Sequence, residues 1–361
     1  MLDVAPASPA GDFHSSAPAP VVVSHRPHFS GTTGEFFGIW FVNLLLSIVT
    51  LGIYSAWAKV RTHRYFYANT QLAGSSFEYL ASPIAILKGR LIAYAVVIAL
   101  IVSSRFAPML YAALILVVGL LMPALIVMSL RFRARNSAWR GLTFRFDEDA
   151  GSAYGPFMLW GWLTGLTVSL LYPVMKKRQH EFIVEGHRFG HKRFSYRADT
   201  GAYYVPYGIA AGVFVVLAVV LGVTFARFAP SVATDKAAFA ARAMTMVGAF
   251  YVVLLGLVMF LRVRYANLLW NSSHLGPHRF ESTARVRDLA WIYASNAVAI
   301  VCTLGLAVPW AKIRLARYRA DHFMLVASGD MDEFVAASES RPGAAGSELV
   351  DALDVGLDIG L

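Results

Sequence analysis

Cysteine is almost absent from this chain: Cys302 stands alone among 361 residues. One thiol excludes an internal disulfide framework and any structural metal site built on cysteines. Charge is scarce as well. Only 15% of residues are charged, against about 25% in a soluble domain, while 57% are hydrophobic and the mean hydropathy is +0.55. That excess of apolar surface excludes a water-soluble enzyme and requires a chain that faces lipid. Also lacking are a P-loop, a dinucleotide-binding glycine fingerprint, a G-x-S-x-G elbow and paired carboxylates. Asp147-Glu148-Asp149 is a short acidic turn of the kind that suits a helix N-terminus. No catalytic constellation and no cofactor site are legible.

Acids are the minority: 22 Asp and Glu face 32 Lys and Arg, a net charge of +10. Eight of those acids lie in residues 329–361 beside a single base, so this tail is −7 and the remainder +17. A body so basic suits an anionic membrane surface. Its bases flank apolar runs, which favours the lipid bilayer and anionic headgroups as partners and argues against nucleic acid. Residues 1–20, rich in Pro, Ala and Ser without Lys or Arg, are expected to be a disordered arm and lack the features of a secretory signal peptide. The acidic tail reads as loose, with a short amphipathic helix expected from Ser347 through Leu357, and its pairing with the basic belt is an open expectation.

Seven apolar stretches are present, at 36–58, 84–104, 109–130, 156–175, 205–226, 243–261 and 289–311. Each approaches the ~20 residues that cross a bilayer as a helix. None carries an ionisable residue at its middle; Lys88 and Arg90 sit near one end of the second, within snorkelling reach of water. If all seven cross, Lys and Arg divide 14 to 18 between the two sides, almost without bias. If the first, fourth and seventh return to the side they came from, the division becomes 28 to 4. Letting the first stretch alone cross still gives 27 to 5, so charge by itself does not fix that one.

Those three stretches also resemble one another. Residues 50–65, TLGIYSAWAKVRTHRY, match 303–318, TLGLAVPWAKIRLARY, at nine of sixteen positions, and the same offset pairs Asn43 with Asn296. A third, degenerate copy aligns Thr167, Lys176, Arg178 and His180 with Thr50, Lys59, Arg61 and His63. Gly52, Pro173 and Pro309 fall late in their stretches, where a break lets the chain turn back. The flanking segments alternate small, aromatic and polar residues: Asn69, Gly74 and Phe77 align with Asn136, Gly141 and Phe144, and Phe77 and Tyr79 with Phe194 and Tyr196. They predict short hairpins, an aromatic-rich β layer at the cytoplasmic face. The expected fold is therefore mainly α: a polytopic helical membrane protein with internal repeats and short cytoplasmic β-hairpins. It has four spans plus three repeated segments that either bend back or cross, up to seven. Repeat 1 covers 21–131, repeat 2 covers 132–263, a partial repeat 3 covers 264–328, and the acidic tail follows at 329–361.

The block Phe29-x-Gly31, Glu35-Phe36-Phe37, Asn43, TLGIY at 50–54, Trp57-Ala58-Lys59-Val60-Arg61, Arg64-Tyr65, Asn69-Thr70, Gly74 and Phe77-Glu78-Tyr79 resembles the YjgN-like inner-membrane proteins, a bacterial domain family of unknown function (domain of unknown function 898). The resemblance extends through Gly89-Arg90 and 303–318 to the acidic segment. It implies a multi-pass protein of the bacterial cytoplasmic (inner) membrane, and it carries no activity and no catalytic residues. The middle copy departs most from the pattern: Val174 replaces the tryptophan.

Two histidine pairs, His187 with His191 and His274 with His278, have a spacing that binds metal on a helix, but both lie in glycine- and arginine-rich loops without an HExxH glutamate. They read as interfacial histidines, and no metal is expected. Asn43 and Asn296, accompanied by Thr50 and Thr303, form the candidate polar intramembrane site. Buried amides there either glue helices together or line a site between pseudo-symmetric copies. Gly52, Trp57, Lys59, Arg61 and Arg64, with Gly305, Trp310, Lys312, Arg314 and Arg317, are the motif and interface anchors. The function classes left are transport of a small or amphiphilic solute, a non-enzymatic structural or membrane-associating role at the cytoplasmic leaflet, and, last, a lipid enzyme. Both termini are expected in the cytoplasm. The absence of a mid-membrane charge weighs against an ion-coupled carrier.

Overall fold

A computed structural model describes residues 22–229, 235–329 and 331–339. The expected arm at 1–20 and the helix expected from Ser347 lie outside these residues. Among them, four helices are long and apolar enough to cross a bilayer: α3 (Pro83–Phe106), α4 (Pro108–Arg135), α7 (Thr200–Phe228) and α8 (Lys236–Asn271), with mean hydropathies of 2.2 to 2.7. Proline at the first position of α3 and of α4 starts each helix where a missing N–H leaves no bond unmade.

The other three apolar stretches are not single helices. Each is a pair: α1 (Thr33–Val49) with α2 (Ser55–Ala68), α5 (Trp160–Leu166) with α6 (Tyr172–Gly186), and α9 (Val286–Cys302) with α10 (Val308–Asp321). A π-helical turn at Gly155–Leu159 leads into α5. The bends are backbone features. Leu51 and Gly52 have φ of 50° and 92°, Leu304 and Gly305 have 50° and 95°, and Val168 and Ser169 have 49° and 69°. A hydroxyl secures each bend. Thr50 Oγ1 donates to Leu46 O at 2.7 Å and accepts from Tyr54 N at 2.9 Å; Thr303 does the same between Ala299 O and Ala307 N, and Thr167 between Leu163 O and Leu171 N. The carbonyls and N–H groups left open at two helix ends are thus partly satisfied by one side chain. Pro173 and Pro309, expected as the breaks, are instead the second residues of α6 and α10, where proline is tolerated.

Each pair folds back on itself. Tyr65 Oη accepts from Thr32 N at 2.8 Å, so the end of α2 lies beside the start of α1, and Tyr318 Oη accepts from Arg285 N at 2.8 Å in the same way. Gln179 of α6 likewise reaches Pro156 O at 3.4 Å.

The strands correct the sequence reading. Short hairpins in a small β layer were expected; the hairpins form, and they join into one large antiparallel sheet of eleven strands. These are β1 (Val22–His25), β2 (His28–Phe29), β3 (Thr70–Leu72), β4 (Ser75–Tyr79), β5 (Ser137–Trp139), β6 (Leu142–Phe146), β7 (His187–Phe189), β8 (Lys192–Tyr196), β9 (Ser273–Leu275), β10 (His278–Ser282) and β11 (Phe323–Ser328). The order runs β1-β11-β10-β9-β8-β7-β6-β5-β4-β3-β2. An isolated two-stranded hairpin exposes unpaired edges and is marginal alone, so each pairs with the hairpin that follows it two or more helices later. The two edge strands, β1 and β2, are consecutive in the chain: His25 and His28 are three residues apart and hence no more than about 11 Å. The sheet must therefore curl until its ends nearly meet.

Register decides what the curled sheet encloses. Phe77 pairs with Trp139, Phe144 with Phe189, Phe194 with Leu275 and Phe280 with Leu325. Together with Leu72 these residues form or pack against a single apolar core, which Met331, Phe334 and Val335 complete. The last three belong to α11 (Met331–Glu339), so the beginning of the acidic tail is a packed helix and not loose chain. Asp332 of α11 pairs with Arg140.

Candidate functional site

The curled sheet holds a chamber of about 400 Å³. Its wall takes one residue each from β3, β4, β5, β6 and β8 and two each from β7, β9, β10 and β11, and every pair in the register above contributes to it. The polar side chains among the lining residues are His187, Ser273 and His278. Such a volume lies within the range of small-molecule pockets and equals roughly a dozen water-sized groups at about 30 Å³ each. Most of the wall is apolar and offers water few partners, so a largely apolar occupant suits it.

Helix α11 closes the end of the chamber at the hairpin tips. His191 N–H donates to Ser338 O at 3.3 Å at the β7–β8 turn, and Gly190, with φ of 54°, leaves space there that a Cβ would take 2.6 Å from that carbonyl. Phe334 sits over the β9–β10 turn at Gly276 and meets His278 edge-on at 4.3 Å. His278 is 1% exposed. Its Nδ1 accepts from Ser328 N at 3.2 Å, which leaves the proton on Nε2, and Nε2 has no partner among the described residues. Burial lowers the His278 pKa, so this ring is a neutral, orphaned donor in the wall.

The opposite end faces the helices, where Ile183 and Val184 of α6 and Leu269 and Trp270 of α8 line the chamber. There it adjoins a second cavity of about 440 Å³, because Phe77, Phe144 and His187 stand in the walls of both. This vestibule is more polar, with Tyr67, Thr70, Arg133 and Ser137 around it. Tyr67 and Ser137 hydroxyls share a hydrogen bond at 3.1 Å. Arg133 is exposed to the space and makes neither hydrogen bond nor ion pair through its guanidinium among the described residues.

Cations gather around it. Burial, and then the Arg90 and Arg133 charges, hold Lys59 below its ordinary pKa. Burial, followed by Lys59, Lys312 and Arg133, lowers His63, and burial alone lowers Lys312. On α6 burial and then Arg262 lower Lys176. A further histidine, His180, is pushed down to about 4 by burial and then by Lys176. Its Nδ1 lies 2.6 Å from the hydroxyl of Tyr203, which also bonds Tyr196.

The residues singled out in the sequence fall in different places. Asn43 Nδ2 donates to Ala58 O at 3.5 Å and Asn296 Nδ2 to Ala311 O at 3.4 Å, each across its own helix pair, and no hydrogen bond joins the two amides. Thr50, Thr303, Gly52 and Gly305 build the bends. Trp57 packs beside Ala56 and Val60, Arg61 is exposed on α2, and Arg64 Nε donates to Tyr79 O at 3.4 Å. Arg314 lies over the Trp310 ring and donates to Ser295 Oγ and Asn296 Oδ1, while Arg317 donates to Gly31 O at 3.0 Å, tying α10 to the segment after β2. The chamber residues were missed as a site. Their signal was present, a phenylalanine three or four residues after the turn glycine in four hairpins, but it read as an interfacial aromatic belt.

No solved structure matches the chain. Among curated proteins it is similar to Inner membrane protein YjgN of Salmonella typhimurium (strain LT2), 23% identical over 370 residues that cover 88% of this chain and 92% of the relative. It is also similar to the Escherichia coli O157:H7 protein of that name, 32% identical over 127 residues covering 35% and 32%, and to that of Escherichia coli K12, 48% identical over 58 residues covering 16% and 15%. The profile of a family described as "Bacterial protein of unknown function (DUF898)" matches residues 24–352. With most of its length matched, the chain belongs to this family.

Proposed function

We infer that this protein holds and passes on an amphiphilic solute, taking its apolar part into the chamber at the cytoplasmic end of the spans. The observation that carries the reading is the chamber itself: about 400 Å³, apolar-walled, closed by α11 at the hairpin tips and adjoining the helix ends on the other side. Charge supports the orientation. With the three helix pairs returning to the sheet side, 28 of the 32 Lys and Arg lie there, as cytoplasmic loops require. Recurrence of the same threonine-secured bend supports reading the chain as copies of one element.

Native mass spectrometry of the full chain in phosphatidylcholine nanodiscs with added 1-dodecanol tests this. Wild type should carry one dodecanol above background, and Leu275→Trp, which narrows the chamber, should carry less while keeping its melting profile. Equal occupancy in both, or none in wild type, contradicts the reading.

The second reading, a structural protein that engages the leaflet, is favoured by the bends. Leu51, Val168 and Leu304 are 94%, 86% and 95% exposed at the tips of the helix pairs, where only lipid suits them. These tips read as re-entrant anchors, and the two roles are compatible.

A further inference from the structure

The geometry points to an anion-binding head site in the vestibule at Arg133, so that the solute is a single-chain amphiphile with a carboxylate or phosphate head and its alkyl chain in the chamber between Phe77 and Phe144. This rests on the chamber reading and adds the chemical class of the ligand.

Three observations converge. Arg133 lines the vestibule, and Phe77, Phe144 and His187 are common to the walls of both cavities, so the two are neighbours across these side chains and an amphiphile passing between Phe77 and Phe144 would span them. Arg133 is unpaired among the described residues, and so are Lys59, Arg90 and Lys312: none stands in an ion pair, although other arginines such as Arg140 and Arg188 do. Arg90 is bonded to Ser55 Oγ, a neutral partner. Burial and the neighbouring Arg90 and Arg133 charges disfavour the charge on Lys59, and an anion among these cations would relieve that repulsion. A guanidinium is also the donor group best matched to a carboxylate or phosphate, which it can hold through two parallel bonds. The vestibule supplies a further donor in Tyr67, whose hydroxyl bonds Ser137 Oγ while the Ser137 hydroxyl donates to Arg133 O at 2.9 Å. The closed end offers only neutral His278 beneath Phe334, which cannot neutralise an anion, so the head lies at the helix end and the chain points toward α11.

The class separates from other occupants by a head-group comparison. The full chain in phosphatidylcholine nanodiscs at pH 8 is titrated with dodecanoate and with 1-dodecanol, which share a chain and differ in charge. Wild type should bind dodecanoate at least about tenfold more tightly, the scale of one charge-assisted hydrogen bond. The preference should shrink as salt is raised from 50 to 500 mM, since part of it is Coulombic. Arg133→Gln should lose the preference mainly through weaker dodecanoate binding, and dodecanol binding that falls far less than dodecanoate binding reports that the chamber is intact. Arg133→Met serves the same purpose if the glutamine variant does not fold. Equal affinities for the two ligands in wild type, or a preference that survives both variants, would overturn the head site while leaving the chamber standing. Failure of both ligands to bind wild type would instead overturn the chamber reading.

Discussion

The ring of Phe334 on α11 meets the ring of His278 on β10 edge-on at 4.3 Å, and that contact holds a segment of the acidic tail over the mouth of the sheet. An aromatic pair of this kind contributes about 1 kcal/mol beyond its buried area. Phe334→Ala removes the pair and half-empties the lid. It should lower stability by about 2 kcal/mol, less than a fully buried phenylalanine would, because Phe334 is only partly buried. The variant should also bind dodecanol faster than wild type. Thermal melting and stopped-flow binding on the full chain check both; an unchanged association rate would mean that α11 does not close the chamber.

The paired asparagines are helix-pair staples, and they are not equivalent. Asn296 uses both ends of its amide, donating to Ala311 O and accepting from Arg314, whereas the Asn43 carbonyl oxygen is buried without a partner among the described residues. Asn296→Ala should therefore cost about 1–2 kcal/mol and Asn43→Ala less, near the 0.6 kcal/mol typical of such bonds in membranes. Denaturant titration in mild detergent gives the order. A larger loss at Asn43 would show that its amide has a role outside its own pair.

Histidines make stability depend on pH in one direction. Burial lowers His63, His187 and His278 and brings His180 down to about 4. A ring that stays neutral in the folded chain but ionises near 6.5 when unfolded lends stability above that pH. The contribution is lost as pH falls from about 6.5 toward 4. For His180 the whole effect is at most on the order of 3 kcal/mol. Melting temperature should fall between pH 7 and pH 5, and fall less steeply in His180→Gln, which can still bond Tyr203. Parallel slopes in the two proteins would remove His180 from the account.

Much of this architecture was legible in local sequence, and the reasons for what was not are physical. Span length and hydropathy marked the four helices long enough to cross, and Gly52 marked one bend, because these depend on neighbouring residues alone; Pro173 and Pro309 fall just past the other two, at Val168-Ser169 and Leu304-Gly305. Sheet closure depends on pairings such as Tyr79 with Ser137 and Tyr196 with Ser273, which only form once two membrane helices have brought the hairpins together. Without that closure Phe77, Phe144, Phe194 and Phe280 look like aromatics at an interface. Composition misled at the tail as well: net acidity suggested loose chain, while Met331, Phe334 and Val335 fall at the helical spacing that covers an apolar opening.

The most direct measurement is the side of the membrane on which the helix pairs begin and end. In a Cys302→Ser background, single cysteines at Ser30 and Ser75 bracket the first pair, and one at Ala107 marks the turn between α3 and α4. With a membrane-impermeant thiol reagent on intact cells, the account predicts labelling at position 107 and none at 30 or 75 until the membrane is opened. Labelling of 75 but not 30, or of 30 but not 75, from outside would mean that the first stretch crosses. A sheet gathered on one side of the bilayer, and the chamber inside it, would then be contradicted.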